Sequence, residues 1–307
     1  MIYDKQIKDI HNAVEMSNNA KSENGKVLDT ILQQRDTDSD WLDSVLNENP
    51  LDDMVFSFSN LTAFETCPYA WYLKYIQNEE GENNIYGEFG SCCHTILEKF
   101  VKGEIQQEDL TTEYIDEFER TVTPTPWNEN AITPLFNAGF DYFNKCNMKT
   151  LHLDDCKIVG VEYKCNFKVG NNKFIGFIDL LVQDNQGDLI IIDHKSGEYP
   201  MTKSGTVKAK HEQKLESYKR QLYLYAKAVY EEFHKFPKSL VWNFFKSGDW
   251  LIIPFDENEY NDTLKWAENV IDDIYFTVDF KPNPSFFFCK NICDFRRICN
   301  GAMEESE

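Results

Sequence analysis

Phe174-Ile-Gly176-Phe-Ile-Asp179-Leu-Leu-Val-Gln183, then Asp184-Asn-Gln-Gly-Asp188, then Leu189-Ile-Ile-Ile-Asp193-His194-Lys195-Ser196-Gly197 is the stretch whose reading decides the fold. The first segment is apolar and β-branched, the second is a glycine-containing turn, and Leu189 to Asp193 reads as a buried strand. Each strand carries one acid among apolar neighbours, where an ionised carboxylate is costly to desolvate unless a cation compensates it. A divalent ion would do so, since a hairpin sets the two strands side by side and lets Asp179 and Asp193 converge. Hard cations take oxygen ligands, and two carboxylates plus the His194 carbonyl leave positions for water and a phosphate. Lys195, two residues after Asp193, projects from the same strand face. There it could orient or deprotonate an attacking water while the ion polarises the phosphate. Taken alone, Asp193-x-Lys195-Ser196-Gly197 reads more readily as turn chemistry with a solvated lysine, so its company has to decide.

Working outward, Ile158 to Val169 alternates and completes a three-stranded meander. Upstream, Ser59 precedes a helical pattern of Leu61, Phe64, Ala70 and Trp71 that Cys67-Pro68 interrupts, predicting a capped helix with a turn or kink. A second helix is expected after Gly90, with Ser91 as its cap and His94, Leu97, Phe100 and Val101 on one face. Residues 130 to 146 also read as helical. Downstream come an amphipathic helix over Gln213 to Phe233, a strand pair at Leu240 to Phe245 and Trp250 to Pro254, and a helix over Glu257 to Tyr275. This order predicts an α/β layered fold with a mixed sheet. Gln221 and Tyr225, four apart, share a helix face. His94 offers either a neutral imidazole ligand or an ordinary packed side chain.

Charge points two ways. With 52 acidic against 31 basic residues the net charge is −21, which argues against indiscriminate phosphate binding, but local potential matters more than the sum. Residues 201 to 220 form a basic island of Lys203, Lys208, Lys210, Lys214, Lys219 and Arg220. It is expected to track a nucleic-acid backbone or to be a solvated loop. Residues 1 to 50 read as an acidic, partly helical or disordered extension. Its Asp36, Asp38, Asp40 and Asp43 around Trp41 suit either a protein-partner segment or a solvated linker. No apolar run approaches the roughly 20 residues of a membrane span, and no secretory signal is evident, so a cytoplasmic location is expected.

In that compartment the nine cysteines stay reduced. Cys289, Cys293 and Cys299, three within eleven residues, are dense enough to suggest one soft metal centre whose fourth ligand lies elsewhere. Cys92, Cys93, Cys146, Cys156 and Cys165 read as core residues.

The ordered set Phe58-Ser59 to Cys67-Pro68, Gly90-x-x-x-His94, Gly176-x-x-Asp179, Asp193-x-Lys195-Ser196-Gly197 and Gln221-x-x-x-Tyr225 resembles the RecB-type branch of the PD-(D/E)XK nucleases over about residues 56 to 300. The resemblance implies a restriction-endonuclease-like mixed sheet flanked by helices, with residues 51 to 307 forming the nuclease domain. It implies that His94, Asp179 and Asp193, with the His194 carbonyl, hold Mg²⁺ or Mn²⁺, that Lys195 serves catalysis, and that Gln221 and Tyr225 position the site. It supplies Cys67 as the fourth ligand, with Cys289, Cys293 and Cys299, of a [4Fe-4S] cluster. Structural zinc or free thiols remain the alternatives, and the gap of three residues between Cys289 and Cys293 departs from the commoner two. The expected activity is hydrolysis of DNA phosphodiesters, as an exonuclease on single-stranded ends in recombination, repair or phage DNA processing. The competing readings are a noncatalytic DNA-binding or scaffold subunit of a helicase-nuclease type complex, and a metal-stapled interaction protein.

Overall fold

The computed structural model describes residues 51–299 apart from 52, 83 and 125–128. The acidic extension therefore lies outside the described residues. The chain divides into two units: Val55–Ile274 with Phe280–Glu307 holds the elements used below, and the smaller one includes Tyr275–Asp279.

The hairpin is present as expected, with strand β3 over Asn172–Gln183 and β4 over Leu189–Lys195, paired antiparallel from Leu180 with Ile192 to Gln183 with Leu189. Asp184 holds the turn by accepting the Gln186 and Asp188 amides, each at 2.9 Å, the local side-chain bonding that makes aspartate a turn former. Strand β2, Lys157–Val169, pairs with β3 along its whole length on one edge. The other edge of β3 is therefore shared by the short β1, Val55–Phe56, which pairs parallel at Lys173 and Phe174, and by β4 at residues 180 to 183. β5, Ser239–Phe244, lies parallel to β4, and β6, Asp249–Pro254, antiparallel to β5. The sheet is mixed, as the sequence predicts.

Helices flank it. α1, Phe58–Thr66, is capped by Ser57, whose hydroxyl accepts the Asn60 amide at 3.1 Å, and not by Ser59. Cys67 ends it in extended conformation, and Pro68 opens α2, Pro68–Tyr75, at a first-turn position where its missing N–H costs nothing. α3, Ile85–Val101, starts earlier than expected. Asn84 caps it by accepting the Gly87 amide at 2.9 Å, so Ser91 and His94 lie in its interior. Gly90 is tolerated there because it passes beside Ser196, whose Oγ would lie 3.4 Å from an added Cβ. α4, Leu110–Thr121, was not foreseen. Leu110, Tyr114 and Phe118 make its buried stripe, and the acidic residues between them lower its overall hydrophobicity while leaving it amphipathic. α5, Glu129–Phe143, follows, and α3 to α5 share one core with Leu180, Val182, Ile192, Val241 and Phe245 of the sheet.

α6, Glu212–Phe233, carries a buried run from Leu222 to Val229. It crosses β3 closely: a Cβ added to Gly176 would sit 2.6 Å from Cε1 of Tyr225, so only glycine admits that ring. α7, Glu257–Phe276, and α8, Phe286–Asn291, complete the described elements.

Candidate metal and nuclease centre

Extending the β3–β4 register by one residue would place Asp179 opposite Asp193, but the pairing stops at Leu180 and Ile192. The strands splay, and β4 runs on to Lys195 held by β5 alone. In the gap, Asp179 Oδ2 accepts the backbone N–H of His194 at 2.7 Å. A carboxylate thus occupies the place of a missing ladder bond, which fixes its direction.

His94 arrives from the middle of α3. Its Nε2 lies 3.0 Å from the His194 carbonyl, and since a carbonyl can only accept, Nε2 carries the hydrogen. Burial holds this imidazole below the ordinary histidine range, with Asp193 opposing and Lys195 assisting. A neutral ring with Nε2 protonated leaves Nδ1 as an acceptor. That atom sits 3.4 Å from Asp179 Oδ2, an acceptor facing an acceptor unless a cation or a proton lies between them. Burial first, and then the Asp193 charge, push the Asp179 carboxyl well above the usual carboxylate range.

Glu162 was missed by the sequence reading. In β2 it looks like a solvent-facing position, yet its φ of 47° is left-handed while its neighbours Val161 and Tyr163 keep their pairing with Leu180 and Ile178, a conformation that costs a non-glycine residue energy and so asks for a reason. The twist brings its carboxylate to the gap. Donor atoms of His94, Glu162 and Asp179 all lie within 4.8 Å of one another, the one such trio among the described residues. An open cleft of about 500 Å³ lined by Gly90, Ser91, His94, Glu98, Glu162 and Asp179 leads to them.

Asp193 stands on the other flank. It is 3% exposed, and its Oδ2 lies 2.7 Å from Lys195 Nζ as an ion pair without hydrogen-bond geometry. The same Nζ donates to Gln221 Oε1 at 2.7 Å, and Gln221 Nε2 donates to the Tyr225 hydroxyl at 3.3 Å. The order Asp193, Lys195, Gln221, Tyr225 is therefore one connected line. Tyr218 closes it from above, its ring 4.6 Å from Nζ. Behind the centre, Asn243 Nδ2 donates to His194 Nδ1 at 3.0 Å and to the Tyr142 hydroxyl at 2.5 Å. The fully buried His194 ring is kept neutral by desolvation.

The residues fit a divalent cation. Two acids are buried together with a third beside them, one carboxylate oxygen has no hydrogen-bond donor, and an imidazole lone pair faces a carboxylate. Each is unfavourable without positive charge, and hard oxygen donors with one nitrogen suit Mg²⁺ or Mn²⁺.

The basic island is spent largely on itself. Lys208 donates to the Tyr199 carbonyl, Lys210 pairs with Glu198 at 2.8 Å, and Lys219 pairs with Glu216 and Glu259. Arg220 pairs with Glu216 and lies over Trp266. Lys203 and Lys214 form no ion pair among the described residues, and Lys214 lies against the Tyr218 ring.

The cysteines meet as a group. Cys67, Cys289, Cys293 and Cys299 line one pocket with Leu73 and Phe288. Backbone amides donate to three of the sulfurs at 3.4 Å each: Asn283 to Cys67, Ser285 to Cys289 and Phe295 to Cys293. The Cys293 thiol is raised to about 11, first by burial and then by the charges of the other three. Cys92, Cys93, Cys146 and Cys165 are buried in apolar surroundings, with desolvation raising each thiol.

A model of the PD-(D/E)XK nuclease superfamily matches residues 55–300. No curated protein matches the chain. Among solved structures, a candidate exonuclease from Eubacterium rectale aligns with a TM-score of 0.48 and 11% identity over 79% of this chain and 87% of that one. The protein SSO0001 aligns with a TM-score of 0.36 and 15% identity over 90% and 97%. No helix among the described residues is long and apolar enough to cross a membrane.

Proposed function

The chain belongs to the PD-(D/E)XK nuclease superfamily, and from that premise we propose that it is a divalent-metal-dependent deoxyribonuclease acting on DNA ends, of the RecB-type branch. The observation that carries the reading is the acceptor-rich gap between β3 and β4, where His94, Glu162 and Asp179 converge with Asp193 on the far side. His94, Asp179 and Asp193 are assigned to the cation, with Glu162 added to the set and the His194 carbonyl already holding the His94 N–H. When bound, the ion supplies Lewis-acid polarisation of the scissile phosphate.

The protein's own groups prepare the attack. An ammonium has three N–H donors. The Asp193 charge and the hydrogen bond to Gln221 fix the position of Lys195 Nζ, leaving its remaining donors to orient a water or steady a phosphate oxygen. Gln221 is itself locked by Tyr225, and Tyr225 is seated on Gly176. The Gln221-x-x-x-Tyr225 pattern thus positions the lysine and does not touch the reacting atoms. The open cleft beside His94 suits entry of a chain end, and single-stranded ends in recombination, repair or phage DNA processing are the proposed substrates.

The four cysteines are proposed to hold a [4Fe-4S] cluster. Amide N–H bonds to three sulfurs favour bound thiolates over free thiols. Such a centre would join Cys67 to the C-terminal segment across the catalytic sheet.

One assay tests the reading. Anaerobically purified protein is incubated with end-labelled single- and double-stranded DNA and Mg²⁺ or Mn²⁺, beside Asp193→Ala and Lys195→Ala. Cleavage is expected from wild type and a loss of about a thousandfold or more in either variant. Equal cleavage by Asp193→Ala would sink the assignment, and folded wild type that cleaves nothing would favour a noncatalytic scaffold.

A further inference from the structure

A second cavity opens at the end of the sheet where β4 and β5, running parallel, both stop. Its volume is about 360 Å³, and Tyr142, Phe245 and Trp250 provide aromatic walls while Lys145 and Lys246 stand at its margin. Asp141 and Thr150 on the same lining offer hydrogen-bonding groups. The size is near the lower bound for small-molecule sites and suits one nucleotide.

The cavity adjoins the catalytic centre. The Phe245 ring lies 5.4 Å from Tyr142 and 5.6 Å from His94, and the Phe245 amide donates to the Lys195 carbonyl at 3.1 Å. One ring therefore separates the cavity from the proposed metal ligands.

Lys246 lines the cavity, and its charge reaches Lys214. Neither Lys214 nor Lys246 forms an ion pair among the described residues, unlike the other lysines of α6. Burial pulls both amines below the ordinary lysine range. The Lys246 and Lys195 charges lower Lys214 further, against a weaker opposing pull from Glu198. Lys214 thus feels the charges of both Lys195, at the catalytic centre, and Lys246, on the cavity lining. An anion passing along the three would relieve that repulsion, and a phosphodiester chain is an anion at regular intervals.

We propose that this cavity is a nucleotide subsite, receiving one base of the substrate strand against Trp250 and Tyr142 while Lys214 and Lys246 hold the flanking phosphates. The proposal rests on the nuclease reading for its substrate. Stacking between a base and an aromatic wall is tolerant of sequence, so the subsite would grip single-stranded DNA without selecting bases, and it would set how far from an end the cut falls.

The test separates this claim from the nuclease reading by measuring binding. Full-length protein carrying Asp193→Asn is titrated with a labelled single-stranded oligonucleotide in Ca²⁺, by fluorescence anisotropy over a range of salt. Adding Lys214→Gln and Lys246→Gln is expected to reduce the slope of log affinity against log salt by about 1.4, two single-strand phosphates at about 0.7 each. Trp250→Leu is expected to weaken binding roughly tenfold with the slope unchanged, and Trp250→Phe to retain it. In the active protein the double lysine variant should raise KM for the oligonucleotide more than it lowers kcat. If Trp250→Leu does not fold, Lys246→Gln alone still has to lower the slope by about 0.7. An unchanged slope in folded lysine variants overturns the subsite, as does failure of the Asp193→Asn protein to bind. Normal binding and slopes without cleavage by the active chain would overturn the nuclease reading and leave the subsite standing.

Discussion

At the splayed sheet edge, His94, Glu162 and Asp179 crowd acceptor atoms at the base of an open cleft with buried Asp193 on the far side, with one acid in a left-handed backbone conformation and a pair of acceptors 3.4 Å apart. At the junction of α1 and α2, Cys67 meets Cys289, Cys293 and Cys299 across more than half the chain, with backbone amides already aimed at three of the sulfurs. The first centre is held in place by the fold, and its acids outnumber the one ammonium, Lys195, set against Asp193. The second draws its four donors from distant segments, packed over a small cluster of Leu73, Cys293 and Phe295. A site embedded in a sheet can survive without its ion and lose only function. One that fastens chain segments with little apolar core of their own would take stability from the proposed cluster.

The largest effect should therefore come from Cys293→Ser. Its thermal unfolding is expected to reveal a loss of several kcal/mol together with the broad visible absorbance and bound iron. A change of only about 0.5 kcal/mol, within the range of ordinary surface substitutions, would mean the thiols are free and would collapse the contrast.

Glu162→Gln should act oppositely, with little change in metal-free stability but weaker Mn²⁺ binding by roughly ten- to a hundredfold in calorimetric titration. Unaltered Mn²⁺ affinity would remove Glu162 from the site and leave its backbone strain without an explanation.

Gly176→Ala forces a Cβ into the Tyr225 ring at 2.6 Å, and overpacking of this kind costs about 1–3 kcal/mol. Because Tyr225 holds Gln221 and Gln221 holds Lys195, kcat should fall along with the melting temperature. A stability loss with unchanged kcat would cut the positioning line at Gln221.

The smallest effect is a pH dependence of the metal-free protein. Burial lowers the folded pKa of His194, and of His94, below the unfolded value of about 6.5. Between those values the unfolded chain binds more protons, so the contribution is fully present above pH 6.5 and is lost as pH falls toward the folded value. Asp179, raised in the fold, contributes in the opposite direction, losing stability as pH rises through its folded pKa. Comparing wild type with His194→Gln isolates the histidine. The melting temperature of wild type should drop more between pH 7.5 and 5.5, on the order of 1 kcal/mol per pH unit below 6.5. Parallel curves would show that His194 titrates normally.

Legibility in the sequence followed the range of each interaction. The β3–β4 hairpin, the long α6 and the β5–β6 pair were readable because a turn or an apolar periodicity is encoded within a few residues. The cap of α3 was misplaced because Ser91 and Asn84 are both competent caps, and only the Asn84 to Gly87 bond distinguishes them. Glu162 was invisible for a different reason. Alternation in β2 marks it as a solvated strand residue, and nothing nearby announces the left-handed turn. The basic island looked like a single surface until Glu198, Glu216 and Glu259 were found among its partners.

By itself the sequence determined the periodicities, the two acids within apolar strands, the lysine two residues beyond the second, and the density of cysteines near the C-terminus. These are properties of neighbouring residues, and short-range geometry follows from them. Only the tertiary structure decided that β3 and β4 part before Asp179, that Glu162 enters the gap opened there, that Cys67 reaches the C-terminal cysteines, and that Lys246, with no ion pair among the described residues, lines an aromatic cavity. Distances between elements depend on where strands stop pairing and how helices pack across them, and residues far apart in the chain set those distances jointly.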